Sequence, residues 1–167
     1  MRYRSLHSLA LLPVALTLVG AVSPTHAATP PGCAAIVQAS VKRLAAPMFH
    51  IQHQTDVGAL EMLKTGGTLY LREPGKPWRK APATTEATMR KGAEATGAML
   101  QSCTREKTET LNGVATEVWR FTTPDFENPA KPATSRVWIG VGDGLPYREE
   151  AVGLKGTTVY SGVKAPI

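Results

Sequence analysis

The chain has 167 residues, a formal net charge of +6 and only two cysteines. Its lysines and arginines are scattered and no aromatic-basic platform lies among them, which excludes the recognisable nucleic-acid-binding modules. A length of this order is enough for a domain with a real core. A positive net charge of this size usually reflects no more than solubility. If it serves a partner, an anionic lipid head group or an envelope polymer is the partner that it suits.

The N-terminus has the layout of a secretory signal peptide. Arg2 and Arg4 form a basic start, the apolar run extends from Leu9 to Val22, and Thr25-His26-Ala27 provides a small-residue cleavage site before Ala28. A membrane anchor is the alternative interpretation, but the apolar run is short for a bilayer span. We therefore expect cleavage near Ala27-Ala28 and a periplasmic or secreted protein without a transmembrane span.

The mature chain, residues 28–167, is expected to form a single domain. Loss of Arg2 and Arg4, with no acidic residue lost, takes the formal net charge from +6 to +4. Cys33 and Cys103 both remain, and an even pair of cysteines in an oxidising compartment predicts a disulfide. A redox or nucleophilic thiol is the alternative, but the Cys-x-x-Cys spacing of redox pairs is absent.

The first half of the mature chain predicts one helix followed by strands. Apolar residues recur at helical spacing from Cys33 to Leu44, and Pro47 ends the helix. Met48 to Val57 then alternates, with Phe49 and Ile51 on one face. Further strands are predicted over Glu61–Lys64, Thr68–Glu73 and Trp78–Lys80, with turns at Thr65-Gly66-Gly67 and Pro74-Gly75-Lys76-Pro77.

The second half predicts a second helix and more hairpins. Thr84 or Thr85 can cap a helix that runs to about Gln101. Asn112-Gly113 and Asp143-Gly144 each provide residues that tolerate the positive φ angles of a hairpin turn. The corresponding strands are Thr104–Leu111, Val114–Thr123, the hairpin Ser135–Val152 and a last strand Thr157–Val163, with a proline-rich loop over Pro124–Thr134. The predicted fold class is α+β: an open, curved antiparallel half-barrel of about seven or eight strands, with two helices covering one face.

No catalytic or metal-binding constellation is evident. His50 and His53 are three residues apart on a strand, so they point to opposite faces and cannot jointly bind a metal. We interpret them as solvated or core-edge histidines. Glu149 and Glu150 are strand neighbours and also face opposite ways, which excludes an acid–base pair. No cofactor and no metal are predicted, and the protein is expected not to be an enzyme. An exported hydrolase that assembles a site from distant strands remains a third possibility.

Two segments carry a resemblance to a known family. They are Lys64 to Leu71 followed by Pro74-Gly75, and Arg136 to Gly140 followed by Asp143 to Glu150. Both look like segments of the LolA and LolB type of lipoprotein-sorting proteins, and they are similar to the related lipid-carrying lipoproteins of mycobacteria. The resemblance implies an open half-barrel sheet whose concave face, covered by helices, holds acyl chains. It transfers no functional residue to this sequence.

The leading functional hypothesis is a carrier-like, non-catalytic protein that binds a lipid or another apolar small molecule in the envelope. Apolar and aromatic residues on the predicted faces are the candidate lining of its pocket: Leu69, Leu71, Met89, Met99, Trp119, Phe121 and Trp138. The alternative is that each of them is an ordinary residue of the hydrophobic core and contacts no ligand. The alternative function is an envelope interaction or scaffolding module with a solid core, which would recognise a protein partner or a polymer through the Pro124–Thr134 loop.

Overall fold

The computed structural model describes residues 29–125 and 131–167. The predicted signal peptide and its cleavage site lie outside the described residues. The same is true of residues 126–130 within the predicted proline-rich loop.

The described residues form two α-helices and nine strands. A 3-10 turn, Pro31–Cys33, leads into α1 (Ala34–Ala45), and α2 is Thr85–Gly97. The strands are β1 (Phe49–Thr55), β2 (Gly58–Thr65), β3 (Thr68–Arg72), β4 (Arg79–Lys80), β5 (Gln101–Leu111), β6 (Val114–Thr123), β7 (Ala133–Gly140), β8 (Pro146–Ala151) and β9 (Leu154–Val159).

All nine strands belong to one antiparallel sheet with the order β4-β3-β2-β1-β9-β8-β7-β6-β5. The pairing of β1 with β9 joins the first and last parts of the chain, whereas the other neighbours follow sequence order. β4 and β5 are the edges, so the sheet stays open. This confirms the predicted α+β class, and the strand count of nine is slightly higher than the predicted seven or eight. The charged first arm of the Asn112-Gly113 hairpin, β5, is an edge strand, and its charged side chains protect the open edge.

Several element boundaries differ from the prediction. α2 ends at Gly97 instead of near Gln101, and β5 already begins at Gln101 instead of Thr104. β2 begins at Gly58 instead of Glu61, and the last strand ends at Val159 instead of Val163.

Two further boundary differences have a local cause. β7 ends at Gly140, and Val141 is exposed in the connection to β8, where the Gly140 N–H donates to the Leu145 carbonyl at 2.9 Å. The last strand begins at Leu154 instead of Thr157, because the chain turns at Gly153, whose φ is +67°. This turn lacks the Asn-Gly or Asp-Gly pair found at Asn112-Gly113 and Asp143-Gly144, and for this reason it was not predicted.

The helices cover one face of the sheet. Strand alternation places Phe49, Ile51, Val137 and Ile139 on this helix-covered face and their neighbours on the uncovered face. Lys64 contacts the last turn of α1 and the first turn of α2, whereas Gly97 at the end of α2 lies beside Val37 in the middle of α1. The two helices therefore run antiparallel across the sheet.

Two separate apolar clusters fill the space between the helices and the sheet. The first cluster joins the start of α1 to β7 and consists of Cys33, Ile36, Ala39, Leu100, Val137 and Ile139. The second cluster joins the end of α1 to β1 and β3 and consists of Leu44, Phe49, Ile51 and Leu69. Burying such side chains stabilises the fold by about 1.5–3 kcal/mol each, so these clusters are what holds the helices on the sheet.

The predicted disulfide is present. Cys33 and Cys103 are bonded with their Cα atoms 5.2 Å apart, and the bridge encloses a sequence separation of 70 residues. It joins the start of α1 to β5, because α2 ends at Gly97 and Cys103 lies in the strand that follows. A Cβ on Gly32 would lie 3.2 Å from the Cys103 carbonyl oxygen, so the chain passes close to β5 at this point.

Candidate functional site

The predicted lining residues divide into three groups. Leu69 belongs to the second cluster, and Met89 packs against it from α2. Trp119 and Phe121 pack against the first cluster from β6. Leu71 is two residues after Leu69 on the same face of β3 and is half-buried. The helix-covered face thus holds five of the seven predicted residues, in two places.

The remaining two predicted residues lie elsewhere. Met99 follows the end of α2 and is 39% exposed, outside both clusters. Trp138 is buried on the uncovered face, because its neighbours Val137 and Ile139 point toward α1. Its indole N–H donates to the Glu109 carboxylate, and the Arg148 guanidinium lies 4.7 Å from its ring centroid. Trp138 is therefore separated from the other aromatic candidates by the sheet itself.

Three small clefts open along the helix-covered face of the described residues. The first lies under α1, has a volume of about 190 Å³, and is lined by apolar groups that include Ile36, Phe121 and Val137. The second also has a volume of about 190 Å³ and lies beside the start of α2, between Leu69 and Glu86. The third has a volume of about 270 Å³ and lies between α1 and the end of β7. Each is smaller than the roughly 300–1,000 Å³ of ordinary ligand pockets. In this conformation the helices leave room for only part of a lipid.

A charged cluster separates the two apolar clusters. Arg43 in α1 donates from Nη1 to Glu149 Oε1 at 2.6 Å, and His53 Nε2 on β1 lies 3.2 Å from Glu149 Oε2. Arg43 and His53 thus bind the two oxygens of one carboxylate, and a helix is tied to two strands. This cluster was not predicted from the sequence, because it links three elements that are far apart in the chain.

The burial of Glu149 and the cations beside it shift the pKa of its carboxyl in opposite directions. Burial raises the pKa of this carboxyl, but the hydrogen bond from His53 and the positive charge of Arg43 together outweigh that effect and hold the pKa at about 2. The His53 ring reaches Glu149 across Gly156, where a Cβ would lie 2.7 Å from His53 Nε2. Only glycine fits at this position without displacing the ring.

One buried nitrogen of Arg43, Nε, lacks a hydrogen-bond partner among the described residues. Nearby, burial raises the pKa of Tyr160, and burial together with the hydrogen bond to Asp143 raises the pKa of Tyr147 to about 12. Both phenols therefore stay neutral at physiological pH and act as hydrogen-bonding groups, with Tyr160 donating to the Pro146 carbonyl at 2.7 Å.

Lys64 links both helices to the sheet. Its Nζ donates to the Leu44 carbonyl at the end of α1 at 2.7 Å, and it lies 2.9 Å from the Glu86 carboxylate in the first turn of α2. The position suits both helices, because a cation is favourable at a helix C-terminus and Glu86 is favourable at a helix N-terminus. Lys64 is therefore a polar anchor for the ends of the two helices.

The two histidines have carboxylate partners on opposite faces. His50 Nε2 lies 2.7 Å from Glu61 Oε2 on the uncovered face, where Arg72 also binds Glu61. Both rings are half-buried, in agreement with their interpretation as core-edge residues. Within residues 29–125 and 131–167 there is no group of three or more potential metal ligands. No helix in the same part of the chain is long and apolar enough to cross a membrane.

Comparison with known proteins gives likenesses of structure only. No protein-family model and no curated protein matches the sequence. Lipoprotein LppX of Mycobacterium tuberculosis is 15% identical with a TM-score of 0.49, and the match covers 81% of this chain and 96% of LppX. LprF of Mycobacterium bovis is 14% identical with a TM-score of 0.46, covering 84% and 96%.

A LolA superfamily protein of Nitrosomonas europaea is 11% identical with a TM-score of 0.33, covering 79% of this chain and 92% of that protein. These are the groups that the sequence resembles. At such low identities and TM-scores no ligand or activity is transferred from them, and the function has to be inferred from the site.

Proposed function

We propose that the protein is an exported, non-catalytic, carrier-like protein that binds a lipid or another apolar ligand between its helices and its sheet. The observation that supports this proposal best is the thin attachment of α2. Of its 13 residues only Gly97 is buried, and Met89 and Ala93 provide its apolar contacts with the second cluster. Beneath them lies an apolar floor of Phe49, Ile51 and Leu69.

The energetics favour displacement of α2 by an acyl chain. Met89 and Ala93 are only partly buried, so moving them off the floor costs on the order of 2 kcal/mol. A bound chain contributes about 0.8 kcal/mol for each methylene that it buries, and about three methylenes offset that loss. The ends of α2 stay tied by the Lys64–Glu86 ion pair and by the disulfide beyond the helix. The helix can therefore shift while its ends remain anchored.

The charged cluster divides the proposed site. The Arg43–Glu149–His53 contacts hold the end of α1 on the sheet, so α1 is the fixed helix and α2 the movable one. The cleft under α1 that Phe121 and Val137 line extends the apolar surface on the other side of this cluster. A long ligand would thus lie mainly under α2.

Export is part of the same proposal. The signal-peptide pattern of residues 1–27 and the Cys33–Cys103 bond both favour an oxidising compartment outside the cytoplasm. A lipid ligand and an envelope location are mutually consistent.

A solid-core interaction module of the envelope is the second candidate function. It is favoured by the small volumes of the three clefts described on the helix-covered face, about 190 Å³, 190 Å³ and 270 Å³. A protein of this kind would leave α2 in place and bind its partner through the surface. The two candidates differ in whether an apolar probe enters beneath α2.

A matched pair of tryptophan substitutions, at two alanines of α2, tests the leading candidate. Ala93→Trp places an indole beneath α2 in the space that the ligand would occupy, whereas Ala95→Trp places the same group on the exposed side of the same helix. Binding of a fluorescent fatty acid is measured for both variants and for the unmodified mature protein. We expect Ala93→Trp to weaken binding at least about tenfold, equivalent to about 1.4 kcal/mol, and Ala95→Trp to leave it unchanged.

Circular dichroism melting of the same samples verifies that each variant is folded. The proposal is contradicted if the unmodified protein binds no fatty acid, or if folded Ala93→Trp binds it as tightly as Ala95→Trp does.

A further inference from the structure

A wide opening lies on the uncovered face of the sheet. It has a volume of about 550 Å³, within the range of ordinary ligand sites. Its floor is formed by β1, β2, β8 and β9, and the tip of the β5–β6 hairpin, at Leu111 and Asn112, forms a wall. We call this opening the polar groove. It lies on the opposite side of the sheet from both helices.

Side chains that can both donate and accept hydrogen bonds surround the polar groove. Gln52, Gln54, Asn112 and Thr157 each combine a donor with an acceptor. The amide nitrogens of Gln52 and Gln54 make only long contacts, at 3.5 Å and 3.4 Å. Asn112 and Thr157 make no side-chain hydrogen bond with other described residues. Most of this hydrogen-bonding capacity is therefore open to a ligand.

Apolar groups lie between these polar groups. Ala59 and Val159 are exposed on the floor, and Leu111 is half-buried in the wall. A ligand that fits this pattern has hydroxyl groups around its edge and C–H groups on its flat faces. Those are the features of a sugar ring.

The charge of the groove is positive. Lys155 forms no ion pair with other described residues, and Arg148 contributes a second cation that is shared with Glu150. Glu61 also lies in the groove, but it is 4% exposed and is bound by Arg72 and His50. Burial raises the pKa of Glu61, and the hydrogen bonds from Arg72 and His50 outweigh that effect and lower it, so the carboxylate is ionised and its charge is already compensated.

We propose that the polar groove is a saccharide-binding site that binds acidic sugars more tightly than neutral ones. The amides and the Thr157 hydroxyl bind sugar hydroxyls, Val159 and Ala59 contact the ring faces, and Lys155 binds a carboxylate. The site is independent of the apolar-ligand site, because the sheet separates the two.

Amide-resolved NMR titration of the mature protein tests this inference, with tetragalacturonate as the acidic probe and maltotetraose as the neutral probe. We expect both probes to shift the signals of β1 and β9 around Gln54 and Thr157, with tetragalacturonate binding at least about fivefold more tightly. Salt at about 0.5 M is expected to reduce this preference, since exposed charges are screened.

Two matched pairs of variants locate the site. Lys155→Ala is expected to weaken tetragalacturonate binding about 3–10-fold, while Lys164→Ala, which removes an exposed lysine outside the groove, leaves it unchanged. Gln54→Ala is expected to weaken binding of both probes by a similar factor, with Gln101→Ala as its control.

Three results would overturn the inference. The first is that neither probe shifts groove signals at about 20 mM, a concentration that would reveal even weak binding. The second is that each control variant weakens binding as much as its partner. The third is that inorganic phosphate shifts the same signals while neither saccharide does, which would make the groove a simple anion site.

Discussion

Glu149 is predicted to make the folding stability of the protein decrease at acidic pH. Its pKa is held at about 2 in the folded chain, against an ordinary value of 4.5. At 1.36 kcal/mol per pH unit, this difference corresponds to about 3 kcal/mol of folding stability. Because the folded pKa is depressed, this contribution is complete above about pH 4.5 and decreases as the pH falls toward 2.

Glu149→Gln removes the charge and keeps the shape of the side chain. At pH 7 we expect a destabilisation of about 2–3 kcal/mol, because Arg43 remains partly buried and has lost its ionised partner. The difference from the wild type should decrease as the pH falls and be close to zero near pH 2. Urea unfolding, followed by circular dichroism at pH 7, 4.5 and 2.5 with the disulfide intact, measures these values.

Glu150→Gln is the matched control for this prediction. Glu150 is the next residue on β8 but points to the uncovered face, where it pairs with Arg148. The Glu150→Gln variant should lose stability at low pH to the same extent as the wild type. If Glu149→Gln instead lost stability in parallel with the wild type from pH 7 to 2.5, the Arg43–Glu149–His53 cluster would not hold α1 on the sheet.

Two further predictions concern the covalent and steric links of the fold. Thiol titration of the unfolded mature protein should find almost no free thiol without reductant and two free thiols with it; two free thiols without reductant would contradict the disulfide. Reduction of the Cys33–Cys103 bond should lower the free energy of unfolding by about 4 kcal/mol for a loop of this length. Gly156→Ala should destabilise the protein by about 1–3 kcal/mol because the new Cβ meets the His53 ring, whereas Gly142→Ala, with open space around it, should have little effect on the urea midpoint. Equal shifts of the urea midpoint by Gly156→Ala and Gly142→Ala would show that the His53 ring moves aside freely.

The local structure was largely predictable from the sequence. Helical spacing located α1 to within a residue at each end, and Asn112-Gly113, with φ angles of +50° and +84°, forms the predicted hairpin turn. Such signals depend on neighbouring residues only. For this reason the helices and most strands could be derived from the sequence. The disulfide pair followed instead from there being only two cysteines in the chain.

The arrangement of the candidate sites was less predictable. Trp138 was predicted to line the same pocket as Trp119 but lies on the other face of the sheet, because alternation does not determine which of the two faces the helices cover. The Glu149–His53 contact depends on β1 pairing with β9, which are about 100 residues apart in the chain. No spacing rule encodes that pairing. The polar groove was missed for the same reason, since its floor and its wall come from distant segments.

The central claim is that the helix-covered face takes up an apolar ligand. Native mass spectrometry of the mature protein purified from the periplasm, followed by organic extraction, tests it most directly. We predict a fraction of the protein with an added mass in the lipid range, and recovery of that lipid in the extract. A single mass equal to that of the bare chain, with no lipid in the extract and no uptake of added fatty acid, would contradict the claim and favour the solid-core interaction module.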